Sequence, residues 1–399
     1  TAIADIVLNH KGGGDETEKV WVKKVNPENR NEFISDRFEI EAYTKFTFPG
    51  RQKQYSDFEW NSQCFSGVDY DAGNKETAIY SIQNEYGDGW EEVIDIEKGN
   101  FDYLMCCDIE YRNQAVRDEI KNWGKWFLDT TGFNGMRLDA IKHISPRFIN
   151  EFLDHMRGLK NDLFVVGEYW APGDLPLLKR YIEATQGRMS LFDASLHHNF
   201  FDASQAGRDY NMATIFDGSL VQAVPALAVT LVANHDTQPL QALEAPVNPW
   251  FKSLAYALVL LRERGYPCVF YPDLYGASYK DKGKDGNEYE IFMPKCDHLE
   301  NLLKARKEVA FGYQRDYFDH PNCVGWTREG KEDDDKTGCA VLLSNGENGT
   351  KHMEIGRRHA GKAFYDYLGV IQEEVHVDDN GWAEFRCNGG NVSVWVQRL

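Results

Sequence analysis

Three acidic residues stand at positions where side chains commonly do chemistry in α/β enzymes. Asp139, Glu168 and Asp236 each follow, within three residues, a short apolar run with the composition of a buried β-strand. Carboxyl groups that converge at strand ends can act as acids, bases or nucleophiles. A lone aspartate at a strand end is more often a helix cap or a surface charge. A catalytic interpretation therefore requires a fold that gathers strand ends at one edge.

Apolar, β-branched runs recur along the chain and alternate with helical segments, which indicates a parallel sheet covered on both faces. Polar residues follow nearly every run, as in a (β/α)8 TIM barrel, whose active sites lie at the C-terminal ends of the strands. A doubly wound sheet would concentrate function at one switch point, and the sequence has no GxGxxG or Walker loop to support it. We therefore predict a barrel. The predicted strands are 2–8, 135–138, 163–166, 189–192, 229–233 and 268–271, and the predicted helices include 115–127, a segment after Pro146, and 250–261.

The spacing of these elements predicts additional domains. Roughly a hundred residues separate the first strand from the helix at Ala115, far more than an ordinary βα loop needs. After Phe311, short runs broken by Gly and Asn predict a small antiparallel β domain. The predicted division is one barrel strand in 1–10, an inserted domain in 11–113, the rest of the barrel in 114–312 and a C-terminal β-sandwich in 313–399.

Four segments, in order and each at a predicted strand end, resemble the signature regions of the α-amylase family, glycoside hydrolase family 13. They are Asp5–His10, Gly135–His143, Gly167–Trp170 and Val232–Asp236. The resemblance extends over essentially the whole sequence. It looks closest to the cytoplasmic α-amylases of bacteria, with the secreted liquefying amylases of bacilli next.

The resemblance implies a retaining glycosidase, which needs a nucleophilic carboxylate and a carboxylic acid about 5–5.5 Å apart. Asp139 corresponds to the nucleophile, Glu168 to the acid–base residue and Asp236 to the stabiliser of the transition state. Glu168 would need a pKa raised by burial or by neighbouring negative charge. Arg137 lies on the same side of its strand as Asp139, and its permanent charge should keep Asp139 ionised.

The resemblance also implies contacts with the sugar. His10 and His235 correspond to histidines at the cleavage site, whereas Lys142, His143 and Trp170 correspond to contacts on the reducing-end side. Alternatively, the two histidines are satisfied core residues and the tryptophan only packs. The predicted substrate-binding set is His10, Arg137, Lys142, His143, Trp170, His235 and Gln238.

A calcium ion is the cofactor that the resemblance implies. Asn9, Asp102, Asp108 and the backbone carbonyl of His143 correspond to its ligands, which would tie the inserted domain to the barrel. Oxygen ligands from separate segments suit a hard cation. A multi-metal cluster of the kind seen in the bacillar relatives is not expected. There the sequence departs from the family's pattern, with Glu91 in place of an aspartate and Arg112 in place of another carboxylate.

Charge and composition argue against several classes of partner. The formal net charge of −19 disfavours nucleic acids and anionic membranes. No run of about 18 apolar residues predicts a membrane span. The eight cysteines lack the spacing of a disulfide framework, which favours free thiols in a reducing cytoplasm. The neighbouring His197 and His198 are predicted to lie at the rim or surface.

The strand count carries a further expectation. In the family the first signature follows the third strand, so the sequence is expected to supply strands 3 to 8 and to lack strands 1 and 2. We expect a sheet with absent strands to leave unpaired edges, and the chain by itself to be poorly stable and nearly inactive.

Three functions remain open at this stage. The first is endo-acting hydrolysis of α-1,4-glucans such as starch, glycogen or maltodextrins. The second keeps the family but transfers the sugar to another sugar, or releases maltooligosaccharides of set length. The third is an inactive glucan-binding relative or fragment. Retention of all three carboxylates, Asp139, Glu168 and Asp236, argues against the third function, because binding alone does not require them.

Overall fold

The computed structural model describes residues 1–398, which divide into two compact units. Unit 1 consists of residues 1–171 and 176–192, and unit 2 of the remaining described residues. Within residues 1–398 no helix is long and apolar enough to cross a membrane.

The secondary-structure elements are numbered along the chain. Up to residue 192 they are β1 (Ile3–Val7), β2 (His10–Lys11), β3 (Glu16–Asn26), β4 (Asn29–Phe33), β5 (Phe38–Lys45), β6 (Phe65–Asp71), β7 (Glu76–Ile82), β8 (Cys107–Ile109), α1 (Gln114–Thr131), β9 (Gly135–Asp139), α2 (Pro146–Leu159), β10 (Phe164–Gly167), α3 (Leu175–Ala184) and β11 (Ser190–Phe192).

The elements that follow begin with another helix. They are α4 (Ala194–Ala206), α5 (Leu220–Ala223), β12 (Ala228–Leu231), α6 (Pro249–Leu260), β13 (Tyr266–Cys268), α7 (Tyr271–Tyr275), β14 (Ala277–Lys282), β15 (Glu288–Met293), α8 (Leu299–Glu308), β16 (Gln314–Tyr317), β17 (Cys323–Arg328), β18 (Cys339–Ser344), β19 (Gly349–Glu354), β20 (Ala363–Asp366), β21 (Val375–His376), β22 (Trp382–Cys387) and β23 (Asn391–Gln397).

A parallel sheet in unit 1 joins β1, β9, β10 and β11 in that order. Its strands are short and apolar, and Ile6, Met136 and Leu138 are fully buried. Helix α1 begins at the Asn113 cap, whose side chain accepts from the Ala115 N–H, and it ends at Gly132 in the left-handed conformation. The predicted parallel sheet is confirmed, and these four strands lie within two residues of their predicted bounds.

An antiparallel sheet occupies most of the chain between β1 and α1. The order β2-β8-β6-β7-β3-β4 forms its main path, and β5 also pairs with β3. Val20 and Val22 on β3 and Ile40 and Ala42 on β5 alternate with exposed residues and form part of its buried face. An insertion of regular structure therefore stands where the long connection was expected, while the predicted boundaries 11–113 remain a prediction.

In unit 2, β12 and β13 pair in parallel, and α6 is buried along nearly its whole length. The predicted helix 250–261 matches α6, but the predicted strand 268–271 is wrong. The strand ends at Cys268, and residues 271–275 form α7 instead. Pro272 accounts for the difference, because proline has no N–H to donate to a sheet and suits the first turn of a helix.

Two antiparallel sheets form the C-terminal part of unit 2. One has the order β16-β17-β18-β23-β20-β21, and the other pairs β19 with β22. Their shared core includes Leu342, Phe364, Phe385 and Trp395, all fully buried. The predicted C-terminal antiparallel β domain is confirmed, and its boundary at 313 stays a prediction.

The two neighbouring histidines of α4 have different surroundings. His197 is fully buried and its Nδ1 lies 2.9 Å from the Val232 carbonyl, whereas the side chain of His198 is 44% exposed. The prediction that both lie at the surface is wrong for His197, because consecutive residues of a helix point to different faces. Burial lowers the pKa of His197 to about 4.

This buried histidine should make unit 2 sensitive to acid. The unfolded chain protonates His197 below its ordinary pKa near 6.5, but the folded chain does so only near 4. Stability should therefore fall as the pH drops through that window, by on the order of 3 kcal/mol. The free energy of unfolding, measured with urea near pH 7 and near pH 5, should fall less with pH in His197→Asn than in the wild type. His198→Asn is the matched control, and its free energy of unfolding should fall with pH as much as that of the wild type. The same fall in all three proteins would contradict the assignment to His197.

Candidate active site

One guanidinium contacts three carboxylates at the ends of neighbouring strands in unit 1. Arg137 Nη1 lies 2.7 Å from Asp139 Oδ1 and 2.7 Å from Asp5 Oδ1, and its Nη2 lies 3.3 Å from Glu168 Oε2. Asp5 is the register partner of Arg137 on β1, and Asp139 is two residues further along β9. Parallel pairing of β1, β9 and β10 thus brings these groups together.

The site is partly shielded from water. The side chains of Arg137, Asp139 and Glu168 are 15%, 21% and 9% exposed. Burial lowers the pKa of Arg137, but the hydrogen bond to Asp5 and the charges of Glu168, Asp5 and Asp139 outweigh it, so the net effect raises this pKa. The arginine is therefore permanently charged and supplies the positive charge beside Asp139.

The carboxylate of Glu168 is held by the turn that follows β9. The Ala140 N–H donates to Glu168 Oε2 at 3.2 Å, and Ala140 has the positive φ of 51° that turns its amide toward this oxygen. The preceding Gly167 allows the close approach, because a Cβ there would lie 2.3 Å from the Ile141 side chain. Asp139 and Glu168 are therefore fixed by backbone geometry as well as by Arg137.

His10 lies close enough to Asp139 for the charge of that carboxylate to act on its pKa. Burial lowers its pKa, and the charges of Asp139 and Asp69 oppose that effect only in part. A neutral imidazole can both donate and accept a hydrogen bond, which suits contact with a sugar hydroxyl. Its Nδ1 lies 3.4 Å from the Asn9 side-chain amide.

Lys142 and His143 belong to a short 3-10 turn, Ile141–His143, that leaves β9. Lys142 Nζ lies 3.1 Å from Asp95 Oδ2 and 2.9 Å from Glu97 Oε2. The His143 ring is buried with Nδ1 2.5 Å from the Phe101 carbonyl, and burial lowers its pKa to about 4. Both residues thus anchor the loop between β7 and β8, and their predicted contact with substrate stays a prediction.

Asp95, Glu97 and Phe101, which form this anchor, were not identified from the sequence. The opposite charges of this acidic loop and Lys142 could have suggested the contact, but acidic residues are frequent throughout the chain. Only the fold shows which of them meet the lysine.

The predicted cation ligands lie in a buried acidic environment. Asn9, Asp102 and Asp108 are almost fully buried, and Asn9 Oδ1 has no hydrogen-bond partner among the described residues. Burial raises the pKa of Asp102, as does the charge of Glu91; burial and the charge of Asp102 raise that of Asp108. Buried carboxyl groups with raised pKa values, next to an unsatisfied amide oxygen, fit a hard cation.

Within residues 1–398, no three His, Cys, Asp or Glu side chains form a metal-binding group. This agrees with the composition of the predicted set, which contains only two such side chains beside an amide oxygen and the backbone carbonyl of His143. The nearby Glu110 is paired with Arg112, whose Nε lies 2.7 Å from Glu110 Oε1.

The remaining predicted residues are divided between the two units. Trp170 is half-buried in unit 1. In unit 2, Asn234 Oδ1 accepts from the backbone N–H groups of Asp236 and Thr237 at 3.0 and 2.8 Å, which shapes the turn after β12. His235 Nε2 lies 3.3 Å from Asp236 Oδ2. Gln238 continues the same turn, and its carbonyl accepts from the Gln241 N–H. The structure thus brings together Asp139, Glu168, Arg137 and His10 in unit 1, and His235, Asp236 and Gln238 in unit 2.

Comparison with known proteins gives consistent matches. The family described as "Alpha amylase, catalytic domain" matches residues 1–309, and "Alpha-amylase C-terminal" matches residues 339–396. The chain is 50% identical to the cytoplasmic alpha-amylase of Escherichia coli over 99% of this chain and 79% of that protein. It is 42% identical to a glucan 1,4-alpha-maltohexaosidase of Bacillus sp. (strain 707), over 99% of this chain and 74% of that one.

A solved structure supports the same fold. A cyclomaltodextrin glucanotransferase with a three-domain arrangement superposes with a TM-score of 0.65 at 19% identity, covering 100% of this chain and 75% of the other. At this identity the likeness concerns the fold alone.

Removing the shared arginine should destabilise unit 1. Arg137→Ala would leave partly buried carboxylates without their countercharge, at a cost of about 3 kcal/mol. Denaturant unfolding would measure this loss. Arg188→Ala provides the control, because Arg188 pairs with the exposed Asp154 and its loss should cost about 0–1 kcal/mol. Similar losses for both variants would show that Arg137 is not the centre of a charge network.

Proposed function

Because this chain belongs to the α-amylase family, we propose that it hydrolyses α-1,4-glucosidic bonds of starch, glycogen or maltodextrins as an endo-acting, retaining enzyme. The observation that carries the proposal is the Arg137 guanidinium between Asp139 and Glu168 at adjacent strand ends. The proposal is also supported by the match of residues 1–309 to the family's catalytic domain.

In the proposed first step, Asp139 attacks the anomeric carbon while Glu168 gives its proton to the departing glycosidic oxygen. A covalent glycosyl-enzyme forms with inverted configuration at that carbon. Contact with Arg137 suits Asp139 to the nucleophilic role, because the arginine stabilises the ionised form.

In the second step, Glu168 takes a proton from water, which displaces Asp139 and restores the original configuration. Asp236 stabilises the oxocarbenium-like transition state through the sugar hydroxyls. We assign contacts with the bound glucan to His10, Lys142, His143, Trp170, His235 and Gln238, of which His10 has the most direct support because the charge of Asp139 acts on it.

Isosteric variants, made in a protein that carries all eight proposed barrel strands, test the proposed roles. Glu168→Gln should lower kcat on soluble starch by at least about a hundredfold, since the amide cannot transfer the proton. Glu183→Gln is the control, because Glu183 is an exposed residue of α3, and it should keep full activity. Product size and anomeric form are read together: rapid shortening with α-anomeric products supports the proposal. Full activity of Glu168→Gln would overturn the assigned acid–base role.

A second candidate within the family forms maltooligosaccharides of set length or transfers sugar to sugar. The maltohexaosidase among the relatives favours keeping this possibility. The same product analysis separates the alternatives, because transfer yields products longer than the substrate and a set length yields one dominant oligosaccharide. No turnover by the wild type would favour a glucan-binding role.

We also propose that calcium is the cofactor, held by Asn9, Asp102, Asp108 and the carbonyl of His143. The cation would neutralise buried negative charge and tie the loop that precedes β8 to the ends of β1 and β9. Support comes from the unpartnered Asn9 Oδ1 and from the raised pKa values of Asp102 and Asp108, which burial and neighbouring carboxylates cause.

Calcium should stabilise the fold by mass action. At about a hundredfold excess over Kd the gain is about 2.7 kcal/mol, which thermal melts with and without a chelator would detect. Asp102→Asn should abolish most of the calcium-dependent rise in Tm. Asp36→Asn removes an exposed acidic side chain of the same unit and should not change it. A Tm independent of calcium in the wild type would contradict the site.

We infer that the parallel strands belong to a (β/α)8 barrel, to which this sequence contributes strands 3 to 8. The full-length superposition on a three-domain relative supports it, as do the exposed Ile3 and Val7 on β1, which is the terminal strand of its sheet. We propose a cytoplasmic location, supported by the name of the E. coli relative.

A further inference from the structure

Two cysteines from different sheets face one another in the core of the C-terminal β domain. Cys323 begins β17 in the six-stranded sheet, and Cys387 ends β22 in the two-stranded sheet. Their exposed fractions are 8% and 2%, and both belong to the same buried cluster. They lie 64 positions apart in the sequence, so no local spacing pattern marks them as a pair.

The space between the two sulfurs exists because residue 349 is a glycine. Gly349 is the register partner of Cys387 on β19. A Cβ at Gly349 would lie 2.5 Å from Cys323 Sγ and 3.2 Å from Cys387 Sγ. Both sulfurs therefore converge on the volume that a side chain at 349 would fill.

The two thiols are also chemically different. Cys387 has the largest effect on the pKa of Cys323, which is lowered, and the nearby Lys351 ammonium contributes to the lowering. The pKa of Cys387 is raised, first by Cys323 and then by burial. By contrast, burial raises the pKa of Cys64, Cys296 and Cys339. An attacking thiol beside a resolving thiol is the arrangement that forms disulfides reversibly.

We propose that Cys323 and Cys387 are a redox modification site, which closes to an intramolecular disulfide when the protein meets a disulfide oxidant such as glutathione disulfide. The bond would join β17 to β22 and so connect the two sheets of the β domain across their core.

The exchange balances in two steps. The Cys323 thiolate attacks one sulfur of glutathione disulfide, that S–S bond breaks, and one glutathione leaves as a thiolate that takes up the proton lost by Cys323. Cys387 then loses its proton and attacks the Cys323 sulfur, which releases the second glutathione. Two protein thiols are oxidised, and one glutathione disulfide is reduced to two thiols.

The bond should stabilise the native protein by restricting the unfolded chain. It closes a loop of more than sixty residues, for which a rise in Tm on the order of 5 °C is expected. Reduction with dithiothreitol should reverse the rise, because the bond forms by exchange and no irreversible oxidation is involved.

The test uses the wild-type chain equilibrated with glutathione disulfide under native conditions. The expected result is a mass decrease of two hydrogens, a peptide map that joins the Cys323 and Cys387 peptides, and the reversible rise in Tm. This measurement needs no variant and so does not depend on how a substituted core folds. A thiol count that stays at eight, or glutathione attached to a single cysteine of the wild type, would overturn the proposal.

Variants then test the order of attack. Cys387→Ser should retain glutathione on Cys323 as a mixed disulfide, whereas Cys323→Ser should remain unmodified at Cys387. Cys268→Ser is the control, because Cys268 lies on β13 outside this cluster and its loss should leave the cross-link intact. A cross-link that persists in Cys323→Ser would assign the bond to another pair.

Discussion

The contact on which unit 1 depends most is the sharing of one guanidinium among carboxylates on three parallel strands. Arg137 contacts Asp5 on β1, Asp139 on its own strand β9, and Glu168 just after β10. Without the arginine, negative charges at neighbouring strand ends would repel one another in a partly buried setting. Its presence lets the sheet hold these carboxylates around one cation at modest cost in stability.

A second concentration of negative charge lies in the inserted sheet and its loops. Glu91, Asp102, Asp108 and Glu110 are buried, and Arg112 pairs with Glu110. The buried Arg30 also lies close enough to Asp108 for their charges to interact, but two arginines do not balance four carboxylates. Burial and the charge of Glu110 raise the pKa of Glu91 to about 7, although Arg112 lowers it in part. The same imbalance is what a bound divalent cation would remove, so the charge count and the proposed calcium lead to the same conclusion independently.

Much of this architecture could be predicted from the sequence. Continuous apolar runs located four strands of the parallel sheet, since burial on both faces leaves a strong local signal. The prediction of a strand at 268–271 was wrong because Pro272 favours the start of a helix. This local preference outweighed the apolar run. The prediction of an exposed His197 was wrong because the sequence shows that histidine is polar but not which face of the helix is buried. Asp5, Asp95 and Phe101 could not be identified, since their roles arise from register and loop packing that no local pattern encodes.

The turn after β9 connects these two concentrations of charge. Within seven residues the chain supplies Arg137 and Asp139, then the Ala140 amide that binds Glu168, then Lys142 and His143, which anchor the acidic loop. A change in that loop would therefore act on the His143 carbonyl and on the Ala140 amide through a single rigid 3-10 turn. The inserted sheet is thus more than an appendage of the parallel sheet. Its loop contacts the turn whose Ala140 amide donates to Glu168, so the acidic loop is held against the end of β9.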